Sequence, residues 1–344
     1  MTEQTADARL AALSDWLTAT LAGTRFALAP ASADASFRRY FRATLASPHP
    51  LAPGASTLIA MDAPPPMENC GPFVAVAHLL QEAGVHAPRV LAQDLARGFL
   101  LLSDLGTTTY LAALDAGNAH ELYLAAIDAL VRFQRTSREG VLPPYDEALL
   151  RRELDLFPDW YVARHLGRVL DDGQRQALDR MFGAILANNL AQPRVFVHRD
   201  YHSRNLMVSE PNPGVLDFQD AVFGPVTYDL ASLLREAYVE WDEERQIDWA
   251  VRYWERARAA GVPVAADFGT FWRDFEWMGV QRQLKVLGIF ARLNHRDGKS
   301  AYLADMPLVM RYLRGACARY RDLAPLLALL DALEDRAPVA GCAR

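Results

Sequence analysis

The segment HRDYHSRN, residues 198–205, carries the pattern of polar side chains best suited to chemistry. It places His198, Asp200 and Asn205 at the spacing HxDxxxxN after a short apolar run, and Asp217 closes another apolar run downstream. Oxygen ligands at strand ends can converge on one point, as Mg²⁺ requires. Phosphoryl transfer needs a metal to offset phosphate charge and a carboxylate to orient the attacking hydroxyl. Asp200 suits the second task and Asn205 and Asp217 the first, while His198 holds the loop.

Each of these polar residues has an alternative interpretation, because Asp and Asn after short strands are also ordinary turn formers. The three fixed positions, the flanking strands and the downstream pair Asp217-Phe218 together favour a functional set. His202 and His198 could be taken for a metal site, but Mg²⁺ favours oxygen ligands. We therefore predict a magnesium-dependent site without histidine ligands.

The first third of the chain supplies most of the predicted strands. Leucines at helical spacing predict an opening helix over residues 6–22. Further patterns predict strands over 36–45 and 57–61, a helix from 72 to 84, and strands over 89–93 and 99–102. The segment LSDLG that follows, with Asp104 at its centre, is the best candidate for a hinge.

Helical periodicity dominates the rest of the chain. It predicts helices over 119–135, 147–166 and 172–190 and over nearly everything after 229. One β-rich island interrupts them, with strands predicted over 195–198, 206–208 and 215–218. The predicted domains are a β-rich lobe, 1–105, a helical lobe with the catalytic and metal-binding loops and the acceptor site, 106–335, and a tail, 336–344.

Composition excludes several classes of function. The 344 residues carry a formal net charge of −6, which provides no broad cationic surface for nucleic acid or an anionic membrane. Cys70, Cys317 and Cys342 form no CxxC pair, so neither a disulfide framework nor a zinc site is expected. The N-terminus lacks the pattern of an export signal, and no apolar run reaches membrane-spanning length. We expect a cytoplasmic protein that needs no obligate protein partner.

The order of these motifs resembles the aminoglycoside phosphotransferase family, relatives of the protein kinases, over nearly the whole chain. LSDLG, HRDYHSRN and LDFQDAVFGPVTYDLA carry the resemblance. SFRRYFR, MDAPP and YDLASLLREAY are similar to the bacterial cell-wall amino-sugar kinases, which phosphorylate N-acetylmuramate and N-acetylglucosamine at the anomeric hydroxyl. The resemblance implies a bilobal, protein-kinase-like α+β fold, with a small β-rich N-lobe that binds nucleotide and a larger, mostly helical C-lobe.

The resemblance also implies two cofactors, ATP and Mg²⁺, and roles for individual residues. Asp200 would be the catalytic base, and Asn205 and Asp217 would be magnesium ligands. Asp229 would be a structural acceptor that braces the catalytic loop. Its carboxylate could also cap the helix predicted over 230–239, because it would satisfy unpaired amides there.

The predicted nucleotide-binding lobe departs from the family pattern in two ways. The loop of residues 32–37 contains no glycine where the family often has one, although small residues such as Ser36 allow close approach to phosphate. The lysine usual on the third strand is absent, and Met61 or Asp62 occupies its neighbourhood. A phosphate-pairing cation is therefore missing from its usual place.

A cation from the SFRRYFR strand is predicted to replace that lysine. A guanidinium can pair with phosphate oxygens through two hydrogen bonds. Arg38 and Arg42 share one face of an alternating strand, while Arg39 faces the other way. The choice between Arg38 and Arg42 stays open, as does a merely solvated strand face. Together with Ser36 and Asp104, they make up the predicted nucleotide contacts.

The segment 271–293 is predicted to be a helix with an apolar stripe and a cationic face. The stripe comprises Val280, Leu284, Leu287 and Phe290. Arg282, Lys285 and Arg292 lie on the other side. These cations are predicted to recognise the anionic part of a carboxylated sugar, and the alternative is a solvated surface with salt bridges.

Three functions compete. The favoured one is ATP-dependent phosphorylation of a small amino sugar at its anomeric hydroxyl, in cell-wall recycling, with Asp200 orienting that hydroxyl. Kinases of aminoglycosides, choline or homoserine are alternatives, although a polycationic aminoglycoside would require an acidic pocket. The third is a nucleotide-binding pseudokinase that lacks the strand lysine, against which the intact set of Asp200, Asn205 and Asp217 argues.

Overall fold

The computed structural model of the protein describes residues 3–33, 37–65 and 67–335. These residues form two compact units. The sheet unit comprises the described residues up to Ala113 together with Leu206–Asp220. The helical unit comprises the described remainder of the chain.

This division differs from the one predicted from the sequence, which placed a single boundary after residue 105. Residues 206–220 belong to the sheet unit because this hairpin pairs with its loops. The amide of Val215 donates to the carbonyl of His86 at 2.8 Å, and Met207 bridges Thr109. The predicted tail, 336–344, lies outside the described residues.

The strands and helices of the described residues are as follows, in chain order. The strands are β1 (Phe26–Ala33), β2 (Arg39–Leu45), β3 (Thr57–Asp62), β4 (Val90–Asp94), β5 (Phe99–Ser103), β6 (Arg194–Val197), β7 (Leu206–Met207), β8 (Gly214–Val215) and β9 (Val222–Pro225). The helices are α1 (Glu3–Thr20), α2 (Cys70–Glu82), α3 (Tyr110–Ala113), α4 (Ala119–Arg135), α5 (Glu147–Leu154), α6 (Asp172–Leu190), α7 (Tyr228–Leu234), α8 (Glu243–Ala259), α9 (Phe268–Asp297), α10 (Met306–Arg319) and α11 (Ala324–Leu333). None of these helices combines the length and apolar composition needed to cross a membrane.

The sheet unit is built on five antiparallel strands in the order β1-β2-β3-β5-β4. Helix α1 covers the sheet with the predicted leucine stripe, of which Leu13, Leu17 and Leu21 are fully buried. They pack with Phe41 of β2 and Leu58 of β3. Strand β1 was not predicted, because Pro30 and small residues weaken its alternating pattern.

The helical unit contains the predicted helices, with one break. Helices α4 and α6 match the predictions for 119–135 and 172–190, but the helix predicted over 147–166 is interrupted. It ends with α5 and continues as a π-helical segment, Phe157–His165, with Pro158 in its first turn. Proline cannot donate the hydrogen bond that an α-helix would require there. Long helix α9 passes this break closely, since a Cβ on Gly288 would lie 2.5 Å from the carbonyl oxygen of Leu156.

A buried carboxylate fastens three elements of the sheet unit together. Asp62, at the end of β3, is fully buried. It accepts hydrogen bonds from the Nε atoms of Arg9 in α1, at 2.9 Å, and of Arg39 in β2, at 3.0 Å. Both guanidiniums also contact it through Nη2. Asp62, one of the two residues in the neighbourhood of the family's strand lysine, is thus an anion with two cationic partners.

We expect Asp62→Asn to lower the free energy of unfolding by about 3–5 kcal/mol, because it removes the shared charge from a buried ion-pair group. Urea denaturation followed by circular dichroism would measure the change. Asp94→Asn is the matched control, since Asp94 makes a more exposed pair with Arg97 in the same unit and should change the midpoint little. Equal denaturation midpoints for the two variants would contradict a stabilising role for the ion pairs of Asp62.

Candidate active site

The loop of residues 198–205 leaves a buried strand in a strained conformation. Strand β6 pairs with β9, and its Val195, Phe196 and Val197 are fully buried. Directly after it, Arg199 has a φ of 79°, in the left-handed region. Non-glycine residues in this region cost about 1–3 kcal/mol and persist only where surrounding contacts hold them.

Asp229 in the first turn of α7 provides these contacts. Its fully buried carboxylate accepts hydrogen bonds from the backbone amides of His198, at 2.6 Å, and Arg199, at 2.9 Å. Burial raises the pKa of Asp229 to about 6, although His198 and the two amides oppose this shift. Thr227, rather than Asp229, is the N-cap residue of the helix. The carboxylate therefore holds the first turn of the loop.

Glu236, just beyond α7, holds the same loop further along, and sequence reasoning missed it. Its buried carboxylate accepts hydrogen bonds from the amide and hydroxyl of Ser203, at 3.0 and 2.6 Å, and from the hydroxyl of Tyr123, at 3.1 Å. Burial raises its pKa to about 7 against these hydrogen bonds. A glutamate two residues after the segment YDLASLL was the available signal, because acidic residues are almost never buried without a partner.

Between these two supports lies Asp200, which is partly exposed. Its amide donates to Nδ1 of His198 at 3.3 Å, and its carbonyl accepts from the side-chain nitrogen of Asn205 at 2.9 Å. Desolvation would raise the pKa of the Asp200 carboxyl, but nearby cations, Lys285 foremost, hold it at about 2. The carboxylate is therefore ionised at physiological pH.

Lys285 is buried and already paired, so the alternative of a solvated cation is wrong at this position, while its role in recognising the sugar stays a prediction. Its ammonium lies 3.0 Å from Glu153 and donates to the hydroxyl of Tyr228 at 2.9 Å. The same carboxylate accepts a hydrogen bond from Arg199 at 2.6 Å. One anion is thus shared by two cations, and the charges of both cations lower the pKa of Asp200.

The three cations predicted to line one face do not form one cluster. The apolar stripe beside them is confirmed, since its four residues are at most 4% exposed. Arg282 is only 6% exposed and acts electrostatically on Asp200. Arg292 lies ten residues further along α9, about 15 Å at the helical rise, where Arg296 and Asp297 act on its charge. Arg282 and Arg292 are therefore nearly three helical turns apart on α9.

In the sheet unit, Asp217 lies two residues after β8 and also has a left-handed backbone, with a φ of 60°. Its neighbour Phe218 packs against Phe73 of α2 at 4.7 Å between ring centroids. A guanidinium nitrogen of Arg38 lies 3.9 Å from the Asp217 carboxylate, and another lies 4.0 Å from Glu68. Arg38 thus lies between two carboxylates of the unit.

Arg42 has a different environment. It donates to Asp104 through Nε at 2.6 Å and through Nη2 at 3.1 Å, and to the carbonyl of Gly106 at 2.9 Å. Burial opposes ionisation of Asp104, but hydrogen bonds from Arg42 and Gly106 hold its pKa below the ordinary value. The two predicted nucleotide contacts therefore pair with each other and stabilise the LSDLG turn. Ser36 lies outside the described residues.

The amino-acid sequence of this chain is similar to those of known phosphotransferases. The model of a family described as "phosphotransferase enzyme family" matches residues 27–275 of this chain. A protein of Pseudomonas aeruginosa named N-acetylmuramate/N-acetylglucosamine kinase is 57% identical over 306 residues, covering 89% of this chain and 88% of the relative. A protein of the same name from Neisseria meningitidis serogroup B is 50% identical, covering 92% and 94%.

A solved structure supports the fold independently. A choline/ethanolamine kinase family protein from Mesorhizobium loti superimposes with a TM-score of 0.59, covering 93% of this chain and 99% of the other, at 15% identity. At this identity the likeness concerns the fold alone. The predicted kinase-like α+β fold, with a five-stranded antiparallel sheet in one unit and mostly helices in the other, is confirmed.

The buried carboxylate of Glu236 predicts a pH dependence of stability. A pKa raised from its ordinary 4.5 to about 7 means that folding favours the protonated form, so the stability is full below pH 4.5 and is lost as the pH rises through 7. We expect wild type to lose about 3 kcal/mol of unfolding free energy over this window relative to Glu236→Gln, which cannot titrate. Asp229 titrates in both proteins, so its contribution cancels.

Urea titrations of both proteins at several pH values would measure this difference. If the unfolding free energies of the two proteins stay parallel from pH 4.5 to 7.5, the raised pKa of Glu236 is contradicted.

Proposed function

Since this chain belongs to the phosphotransferase enzyme family, we propose that it is an ATP-dependent kinase of N-acetylmuramate and N-acetylglucosamine. The observation that carries the proposal is identity of 50% or more, over about nine tenths of the chain, to proteins named as kinases of these two sugars. The reaction would transfer the γ-phosphoryl group to the anomeric hydroxyl and give the sugar 1-phosphate. We assign this reaction to cell-wall recycling in the cytoplasm, where ATP is available.

Asp200 suits the catalytic role by its position and its charge. The acceptor hydroxyl needs a carboxylate that orients it and receives its proton as the phosphoryl group is transferred. A pKa of about 2 makes Asp200 a weak base, so the proton would move late. Its main contribution would be orientation, which depends on the hydrogen bonds that hold the loop.

The proposed magnesium ligands, Asn205 and Asp217, have the right chemical types. Mg²⁺ takes oxygen ligands and is usually held by one or two carboxylates together with substrate phosphates. The amide nitrogen of Asn205 donates to the carbonyl of Asp200, which orients the amide oxygen as the atom offered to a metal. When bound, the metal would offset charge on the transferring phosphates.

Arg38 is proposed as the cation that replaces the strand lysine. Its ionic contacts with Glu68 and Asp217 are both long, at 4.0 and 3.9 Å, and only 11% of its side chain is exposed. Arg38 lies beside Asp217, one of the proposed magnesium ligands, whereas Arg42 is bound to Asp104 at 2.6 Å. Glu68 would position Arg38 rather than contact the nucleotide.

A nucleotide-consumption assay with a panel of acceptors tests the proposed function. N-acetylmuramate and N-acetylglucosamine should each stimulate release of ADP in the presence of Mg²⁺. Stimulation by aminoglycosides, choline or homoserine instead would replace the proposed acceptor class. ATP binding without turnover on any acceptor would favour the pseudokinase alternative.

Asp200→Asn should lower kcat by about 10²–10⁴-fold, because it removes proton acceptance and weakens hydroxyl orientation. Binding of Mg²⁺-ATP, measured by calorimetry, should stay close to wild type. Asp128→Asn is a matched control, since Asp128 makes a partly exposed ion pair with Arg256 in the same unit. Turnover of the Asp200 variant at the control's rate would refute the base assignment.

Arg38→Ala should raise the KM for ATP about tenfold or more, with a much smaller effect on the KM for sugar, because a charge-assisted contact to phosphate is lost. Lysine at this position should restore the KM only in part. Arg42→Ala should instead lower the thermal midpoint, because Asp104 loses its partner. Ordinary ATP kinetics in Arg38→Ala would show that another group holds the phosphates.

A further inference from the structure

Arg282 is a buried cation that has no ion-pair partner among the described residues. It belongs to the middle of α9 and only 6% of it is exposed. Over the described residues, no side chain or carbonyl forms a hydrogen bond or ion pair with its guanidinium, whereas Lys285, one turn further along the same helix, has two partners. An unpaired buried charge is strongly unfavourable. Such a group is expected where a ligand supplies the missing anion.

The charge of Arg282 acts on the catalytic loop. It lowers the pKa of the Asp200 carboxyl. It also opposes the rise in the pKa of Glu236, which lies just beyond α7. It also disfavours protonation of His202, whose pKa is lowered to about 3, mainly by burial. Arg282 therefore lies within electrostatic range of the proposed base and belongs to the same unit.

A second unsatisfied polar group lies in the same loop. His202 is 8% exposed, and its Nδ1 has no hydrogen-bond partner among the described residues. Buried polar atoms are nearly always paired, so an unpaired one needs an explanation. The unpaired imidazole nitrogen of His202, two residues after Asp200, and the guanidinium of Arg282, one turn before Lys285, are suited to a polar, anionic acceptor.

We propose that Arg282 binds the carboxylate of the lactyl group that distinguishes N-acetylmuramate from N-acetylglucosamine. This inference rests on the proposed function and identifies the residue that would separate its two acceptors. A guanidinium can hold a carboxylate through two parallel hydrogen bonds, which the uncharged sugar cannot provide. The acceptor is the expected partner, because Arg282 shares its unit with Asp200, the residue that must contact the acceptor hydroxyl.

Two other anions could engage the same guanidinium, and their consequences differ. If Arg282 instead stabilised the ionised Asp200, or bound the phosphoryl group during its transfer, the loss of Arg282 would slow the reaction with either sugar to the same extent. If it binds the lactyl carboxylate, the loss would concentrate in the KM for N-acetylmuramate. The comparison of two acceptors that differ in this one group therefore separates the possibilities.

The test is steady-state kinetics of wild type, Arg282→Gln and Arg282→Lys with each sugar at saturating Mg²⁺-ATP. Arg273→Gln is the matched control, because Arg273 is an exposed arginine on the same helix that packs over Trp277. We expect Arg282→Gln to raise the KM for N-acetylmuramate about tenfold or more, as loss of a charge-assisted hydrogen bond predicts. Its KM for N-acetylglucosamine and its kcat should change far less.

Arg282→Lys should raise the KM for N-acetylmuramate less than Arg282→Gln does. Lysine keeps the positive charge but cannot make the two parallel hydrogen bonds of a guanidinium. Calorimetry without nucleotide gives a readout apart from turnover: Arg282→Gln should weaken binding of N-acetylmuramate selectively. Equal losses with both sugars, or no loss with either, would overturn the inference while leaving the proposed function intact. A wild-type protein that phosphorylates neither sugar would overturn both.

Discussion

The hydrogen bonds from the amides of His198 and Arg199 to the buried carboxylate of Asp229 are the interaction on which the candidate site depends. They hold Arg199 in a left-handed conformation that its side chain would otherwise disfavour. This conformation turns the chain out of β6 and sets the direction in which Asp200 is presented. Glu236 binds the same loop at Ser203, so the loop is supported on both sides of Asp200.

The second constraint is electrostatic. Arg199 and Lys285 share the carboxylate of Glu153, and the positive charges of both act on Asp200. These charges keep Asp200 ionised despite the cost of desolvation. Arg282 adds a further cation that has no ion-pair partner among the described residues. The helical unit thus combines an ionised carboxylate, at Asp200, with a buried guanidinium, at Arg282.

Local patterns allowed much of this arrangement to be predicted. The HxDxxxxN spacing identified the loop, and helical periodicity identified α4, α6 and the apolar stripe of α9, because these signals come from neighbouring residues. Strand β1 was missed because its sequence alternates poorly. Pro158 marked an interruption within 147–166, but the apolar periodicity does not show that the chain continues there as a π-helical segment.

The ion pairs could not be predicted, because they join residues far apart in the chain. Arg9 and Asp62 are 53 positions apart, and Arg42 and Asp104 are 62 apart. The sequence showed several arginines near a strand without indicating which carboxylate each would meet. Only the fold distinguishes Arg42, bound to Asp104, from Arg38, between two more distant carboxylates. The same reason explains why Lys285 looked like a surface cation.

The position of the phosphate on the product tests the central claim most directly. Phosphorus NMR of the sugar formed from ATP and N-acetylmuramate, with proton coupling recorded, reports which oxygen has been phosphorylated. Wild type should form a product whose phosphorus resonance couples to the anomeric proton, and the Asp200→Asn variant should form the same product far more slowly. A phosphorus coupled to the methylene protons at C6, or no sugar phosphate at all, would contradict the central claim.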